Sequence, residues 1–490
     1  MLFNSIEYQL FFPFVIMLYF LIPMKYVRIK QIWLLAVSYY FYMSWNAKYV
    51  VLIAISTVIT YACGIIMEAI DTDNESSAEM KARGKKTVIA AGFIINLAIL
   101  FYFKYTNFFM ESIEDVVSIF GVKITAPRFD ILLPVGISFY TLQALGYIVD
   151  VYRGEIKAQK NLIEYALFVS FFPQLVAGPI ERSKNLMEQL KVSHAFKFEN
   201  LREGVLLMSW GYFLKIVIAD RIALYVDTVY ADIDNYGGVY FIVAFILFAF
   251  QLYCDFYGYS VIAKGSAKVL GINLMDNFKA PFLSENTAVL WRNWHISLSS
   301  WFKDYLYIPL GGNRKGKGRK YLNLMIVNMV SGLWHGANIT YVIWGTLNGL
   351  FNVLGAVTLS ARTKIAGILK VNVNLLLHRI LKIFVTFFLF AFSFIFFRAQ
   401  SIGDAIKGIK SIFTGFDARV ITDGSLYNCG LDKANFILML LCIVVLIAVD
   451  ICNKNKLCIR GYILKQAMPV RIVIFTLSIL FILVFYFLYK

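Results

Sequence analysis

The chain has 490 residues, of which 60% are hydrophobic, 17% aromatic and only 16% charged, with a formal net charge of +17. Soluble domains carry about 45–50% apolar and about 25% charged residues, so the composition excludes an ordinary soluble enzyme and describes a single membrane domain over 1–490. The positive charge does not indicate nucleic acid. The basic residues fall in short clusters between apolar runs, as the positive-inside bias of cytoplasmic loops produces, and no aromatic-basic RNA-binding signature accompanies them.

The first apolar run, 6–22, has no basic residues before it and no small-residue cleavage site. Lys25, Arg28 and Lys30 follow it, which predicts a first transmembrane helix starting outside rather than a cleaved signal. About 20 mostly apolar residues cross the hydrocarbon core. Further spans are predicted at 31–43, 50–67 and 88–110, then at 132–152, 162–176, 205–218 and 240–253. Later ones fall at 322–334, 341–358, 381–397, 436–451 and 472–489. Basic clusters at 25–30, 81–86, 314–320, 362–382 and 454–471 place those loops on the cytoplasmic side.

The middle of the chain, 132–335, is of a different kind. Its apolar runs are short and interrupted by Pro134, Pro173, Pro179, Pro281 and Pro309, and they hold Asp150, Asp220, Asp255, Asn293, His295 and His335. Broken helices survive in a bilayer only where protein or a water-filled cavity satisfies their backbone groups. The expected fold is therefore an all-α polytopic bundle with short or re-entrant helices around a central chamber. The six cysteines show no zinc or redox spacing and the four histidines are too scattered for a ligand cage, so no metal is expected.

The densest segment runs from Trp291 to Leu310. Read as one helix, it puts Trp291, Trp294, Leu298, Trp301 and Tyr305 on a single stripe with His295 beside it, and Pro309, Gly311 and Gly312 end it. An interfacial helix anchored by tryptophans explains the aromatics without catalysis. The next loop carries Arg314, Lys315, Lys317, Arg319 and Lys320 among glycines. It either holds the phosphates of a donor such as coenzyme A or is a solvated topogenic loop; it has no Walker-type spacing.

His335 follows in Gly332-Leu333-Trp334-His335-Gly336. An intramembrane ionisable group is a functional-site hypothesis by default, and a buried neutral imidazole can take a proton from an attacking hydroxyl. The alternative is a histidine that hydrogen-bonds two helices together. Gly332 and Gly336 allow close backbone approach. Asn293, Trp294 and Trp334 flank the histidines as candidate supporting residues. Asp255 either orients a histidine or pairs with a lysine.

These segments together resemble the membrane-bound O-acyltransferase (MBOAT) family, in its bacterial alginate O-acetyltransferase-like branch. The resemblance rests on Trp291-Arg292-Asn293-Trp294-His295-Ile296-Ser297-Leu298-Ser299 and on Asp304-Tyr305-Leu306-Tyr307-Ile308-Pro309-Leu310-Gly311-Gly312-Asn313-Arg314. Gly332-Leu333-Trp334-His335-Gly336, Pro173-Gln174-Leu175-Val176-Ala177-Gly178-Pro179-Ile180 and Tyr253-Cys254-Asp255-Phe256-Tyr257-Gly258-Tyr259-Ser260 extend it. It covers roughly 93–398, with flanking transmembrane helices at both ends. It implies a ring of helices around a funnel, with the family's invariant histidine at His335 and its second histidine at His295. It further implies a multi-pass enzyme of the cell membrane with no permanently bound cofactor. Such an enzyme passes an acetyl group from cytoplasmic acetyl-CoA to an extracytoplasmic polysaccharide hydroxyl or to a partner acetyltransferase protein. D-alanyl transfer from a carrier protein toward teichoic acid, or transport without chemistry, are the alternatives.

Overall fold

The computed structural model describes residues 1–488 except Lys123, Ala177 and Asn374, and among these the protein is all-helical, as the composition predicts. Ala177 of the proline-rich motif and Tyr489 at the end of the last predicted span lie outside the described residues. Seven helices among the described residues are long and apolar enough to cross a membrane. They are Ala47–Thr72, Ala78–Ser118, Val239–Val269, Ile339–Val357, Leu376–Arg398, Lys433–Lys454 and Met468–Tyr486. Ile6–Leu21 is a shorter apolar helix.

Several predicted spans are shorter or broken. The span expected at 132–152 is the 16-residue helix Ile137–Tyr152, and that at 162–176 divides into Leu162–Ser170 and Phe172–Leu175. Pro173 causes the second break: its ring is tolerated only in the first turn of a helix, which is where it lies. The span expected at 205–218 is Phe198–Tyr212 followed by a π-helical stretch, Phe213–Ala219. The 322–334 span belongs to Gly316–His335, whose first turns are too polar for a span.

The chain forms two compact units: Met1–Val205 with Ala263–Met275, and Leu206–Ile262 with Asp276–Lys490. In the first, the break between Ser170 and Phe172 is repaired by side chains. The Phe168 carbonyl accepts from the amides of Gln143 at 2.5 Å and Gln174 at 3.0 Å, and the Phe172 N–H donates to Ser38 Oγ at 3.1 Å. Gln174 thus gives the proline motif a structural reason. Elsewhere in this unit polar pairs tie helices together, Tyr165 Oη to Thr60 Oγ1 at 2.7 Å and Ser56 Oγ to Asn96 Oδ1 at 2.6 Å.

All the candidate site residues lie in the second unit. Its core is aromatic, built from Phe245, Phe248, Tyr253, Phe278, Phe282, Trp294, Trp344, Phe390 and Phe394. Gly316–His335 and Ile339–Val357 form a tight antiparallel pair because glycines meet across it. A Cβ on Gly332 would lie 2.2 Å from the Tyr341 carbonyl oxygen, and one on Gly345 would lie 2.3 Å from that of Asn328. Overpacking such a contact costs about 1–3 kcal/mol. Gly345→Ala is therefore expected to lower the thermal unfolding midpoint of the purified protein. Gly355→Ala, in the same helix but 3.8 Å from its nearest neighbour atom, is expected to leave it unchanged or raise it.

Candidate active site

The tryptophan motif is not one helix. Thr287–Asn293 ends, Trp294 is extended, and His295 has φ 44° and ψ 55° before Ile296–Phe302 begins. The left-handed conformation costs a non-glycine residue about 1–2 kcal/mol, so the stripe expected on one face is split at the histidine. The break lets Trp294 point into the core, where it is 3% exposed with its ring 5.1 Å from both Phe278 and Phe390. A π-helical turn, Lys303–Tyr307, then precedes the glycine loop.

His335 is the last residue of Gly316–His335, so it stands at a helix junction rather than inside a continuous apolar helix. Asn338 restarts the chain as the cap of the next helix, accepting from the Thr340 N–H at 3.0 Å, and it donates to the Gln400 carbonyl at 3.1 Å. A Cβ on Gly336 would lie 2.1 Å from the Tyr341 ring. The close backbone approach expected of both glycines is present at Gly332, whereas Gly336 makes room for a tyrosine side chain.

These two irregularities bring the histidines together. The ring centroids of His295 and His335 are 6.2 Å apart. Trp334 lies against both, at 5.9 Å from His295 and 4.9 Å from His335. Phe256 closes over His295 at 4.6 Å, and Trp344 and Phe397 flank His335 at 5.2 and 5.5 Å. Exposure separates the pair: His295 is 1% exposed, whereas His335 is half-buried. His295 lies outside the seven spans, and burial first, then the neighbouring His335, holds its imidazole well below the ordinary histidine range. It is therefore neutral at physiological pH. The indole N–H groups of Trp291 and Trp344, whose rings are 5.8 Å apart, have no hydrogen-bond acceptor among the described residues. Orphaned buried donors are rare, and of these two Trp344 packs directly on the His335 ring, at 5.2 Å.

The remaining predicted residues have separate places. Asn293 braces the break, its carbonyl accepting from the Lys279 N–H at 3.0 Å and its amide donating to Ser284 Oγ at 3.4 Å. Asp255 pairs with Lys215, which also holds Asp220 at 2.8 Å, so the lysine alternative is the one realised. Lys215 sits on the π-helical stretch and escaped notice in the sequence because its partner is far along the chain. Arg314, Lys315, Lys317 and Arg319 are exposed, Lys320 is half-buried, and none of the five pairs with a carboxylate among the described residues. Their loop is held at its base by Asn323, which donates to the Gly312 carbonyl at 3.1 Å. The helix Gly316–His335 takes in Lys317, Arg319 and Lys320, so only Arg314 and Lys315 of the expected loop precede it, and its 20 residues put its start about 30 Å from His335. The structure thus assembles the two histidines with Trp334, sends the Trp294 ring into the aromatic core and leaves the cationic loop at a distance. Among the described residues no group of three His, Cys, Asp or Glu could hold a metal.

The MBOAT, membrane-bound O-acyltransferase, family profile matches residues 156–366. A relative from Pseudomonas aeruginosa, "Probable alginate O-acetylase AlgI", is 36% identical over 405 residues, covering 83% of this chain and 73% of that one. A "Peptidoglycan O-acetyltransferase" from Helicobacter pylori is 32% identical, covering 78% of this chain and 73% of its own length. A "Teichoic acid D-alanyltransferase" from Streptococcus thermophilus is 31% identical over 228 residues, 44% of this chain and 55% of that one. The chain belongs to the membrane-bound O-acyltransferase family, in its alginate O-acetyltransferase-like branch. It is an O-acyltransferase and a multi-pass protein of the bacterial inner membrane.

Lys215→Met strands two carboxylates side by side, whereas Asp255→Asn removes one charge and leaves Lys215 with Asp220. A charged hydrogen bond lost with its partner left unsatisfied costs about 1–3 kcal/mol. The lysine variant is expected to melt at a lower temperature than the asparagine variant, as measured by thermal unfolding of purified protein. Equal melting of the two would show that the triad does not hold these helices together.

Proposed function

We propose that the protein passes an acetyl group from cytoplasmic acetyl-CoA across the membrane to a hydroxyl of an extracytoplasmic polysaccharide, directly or through a partner acetyltransferase protein. The observation that carries this reading is the half-buried His335 at a helix junction, 6.2 Å from the buried His295. The relatives named for alginate and peptidoglycan acetylation, each aligned over 73% of its length, support the polysaccharide acceptor.

In the reaction the acceptor oxygen attacks the thioester carbonyl carbon. The new C–O bond forms as the C–S bond breaks. His335 takes the hydroxyl proton as general base and returns it to the departing thiolate. His295 positions the donor or polarises its carbonyl. The aromatic side chains around both rings keep water from the thioester, and the cationic loop at 314–320 draws the donor's phosphates.

His335→Ala, inserted at the wild-type level, is expected to lower transfer by about 10²–10⁴-fold, read as acetyl ester on the surface polymer by mass spectrometry. Undiminished acetylation in that variant would end the assignment of His335. Replacing Arg314, Lys315 and Lys317 together by glutamine is expected to raise KM for acetyl-CoA roughly tenfold, the worth of about one charged hydrogen bond, with kcat little changed. An unaltered KM would return the loop to a purely topogenic role.

A second reading is D-alanyl transfer from a carrier protein, which the Streptococcus thermophilus relative favours over its 228 aligned residues. Offering purified protein each donor separates the two: turnover with the D-alanyl carrier alone would replace the first reading.

A further inference from the structure

The first amides of a helix need acceptors, and the residue at the cap position usually supplies one from its own side chain. Before Ile296–Phe302 that position is His295, left-handed and making no side-chain cap bond. The acceptors come from elsewhere in the sequence. Asn277, 3% exposed, accepts the Ile296 N–H on its carbonyl oxygen at 2.9 Å and the Ser297 N–H on its side-chain oxygen at 3.4 Å. Its amide donates to Ser260 Oγ at 2.8 Å, which anchors it to Val239–Val269. Two residues on, Lys279 bonds Asn293 on the other side of the break. One short segment therefore grips the chain both before and after His295. The anchoring helix is also the one whose Phe256 packs on the His295 ring at 4.6 Å.

We propose that Asn277 is a positioning residue for acyl transfer. It caps the helix after His295 from a distant segment, and so fixes the angle at which that imidazole faces His335. The cap cannot come from position 295 itself, because there the side chain is committed to the site. A helix that kept an ordinary Ser or Asp cap would lose the imidazole. One that lost the cap altogether would leave buried amides unsatisfied, a costly state in an apolar interior. The proposal rests on the acyl-transfer reading for its consequence in activity, but its structural part does not.

The test uses full-length protein in nanodiscs with Cε1-labelled histidine. Of the four histidines, His194 and His378 serve as internal references. In Asn277→Leu the signals of His295 and His335 are expected to move while the reference signals stay. A misplacement of this kind lowers kcat by about 10²-fold, with KM for the donor nearly unchanged. Asn277→Asp keeps the acceptor oxygen and is expected to restore most of the turnover and the wild-type signals. Ser260→Ala frees only the anchor and is expected to fall between them.

Wild-type kcat with unmoved His295 signals in Asn277→Leu would overturn the proposal. If that variant fails to fold, Ser260→Ala decides by the same two readings. A fall in kcat without movement of His295, or a failure of Asn277→Asp to rescue, also counts against it. Wild-type protein silent toward acetyl-CoA would instead defeat the acetyl-transfer reading, and the histidine signals would still report on the cap.

Discussion

A backbone that breaks inside an apolar environment must find new partners for the N–H and C=O groups it releases, and the candidate site is organised around how this chain meets that demand. At His295 the helix stops, turns through a left-handed residue and restarts. The released groups are taken up by the 277–279 segment. The same solution recurs in the other unit, where the Phe168 carbonyl is satisfied by two glutamine amides beside Pro173. Each break combines a near partner with a remote one: Ser299 Oγ donates to the Trp294 carbonyl at 3.1 Å and Gln174 to the Phe168 carbonyl at 3.0 Å, while Asn277 and Gln143 come from other elements. The remote partners tie the irregular backbone to the packing of the surrounding helices.

What the break provides is a difference between two chemically identical side chains. His295, enclosed by Phe256 and Trp334, is fixed and dry, while His335, at the end of its helix, remains half-accessible. Under the proposed chemistry the accessible ring exchanges the proton and the enclosed ring orients. A neutral second imidazole serves that arrangement better than a charged one, since a cation 6.2 Å away would oppose proton uptake by His335. The enclosing aromatics give His295 a low dielectric, in which a correctly placed donor acts strongly.

Sequence pattern revealed the features that depend on composition or on single residues. The all-helical membrane class follows from apolarity, the break before Phe172 from Pro173, and the choice of His335 as a candidate from the rarity of ionisable groups in apolar runs. The features that depend on pairing stayed hidden. The stripe through Trp291, Trp294 and Leu298 satisfies helical periodicity, so nothing in it signals that the chain turns at His295. Asn277 lies in a segment without periodicity, and its value comes entirely from amides it meets through folding. Lys215 resolves the role of Asp255 for the same reason: the two are neighbours only in space. Local propensity fixes elements, and tertiary contact chooses where they fail.

The position of the cationic loop adds a constraint on the donor. The loop opens the helix that His335 closes, so under the proposed chemistry charge recognition and bond-making stand about 30 Å apart along one 20-residue rod. The loop also sits at the positive end of that helix's dipole, where anions are favoured, and its basic residues find no carboxylate among the described residues. A compact donor such as acetyl phosphate would satisfy either end but not both. A donor with a polyanionic head is drawn toward the loop by charge, and the arm of coenzyme A is shorter than this helix, so under the proposed chemistry the loop steers the donor and the residues around the histidines hold its thioester.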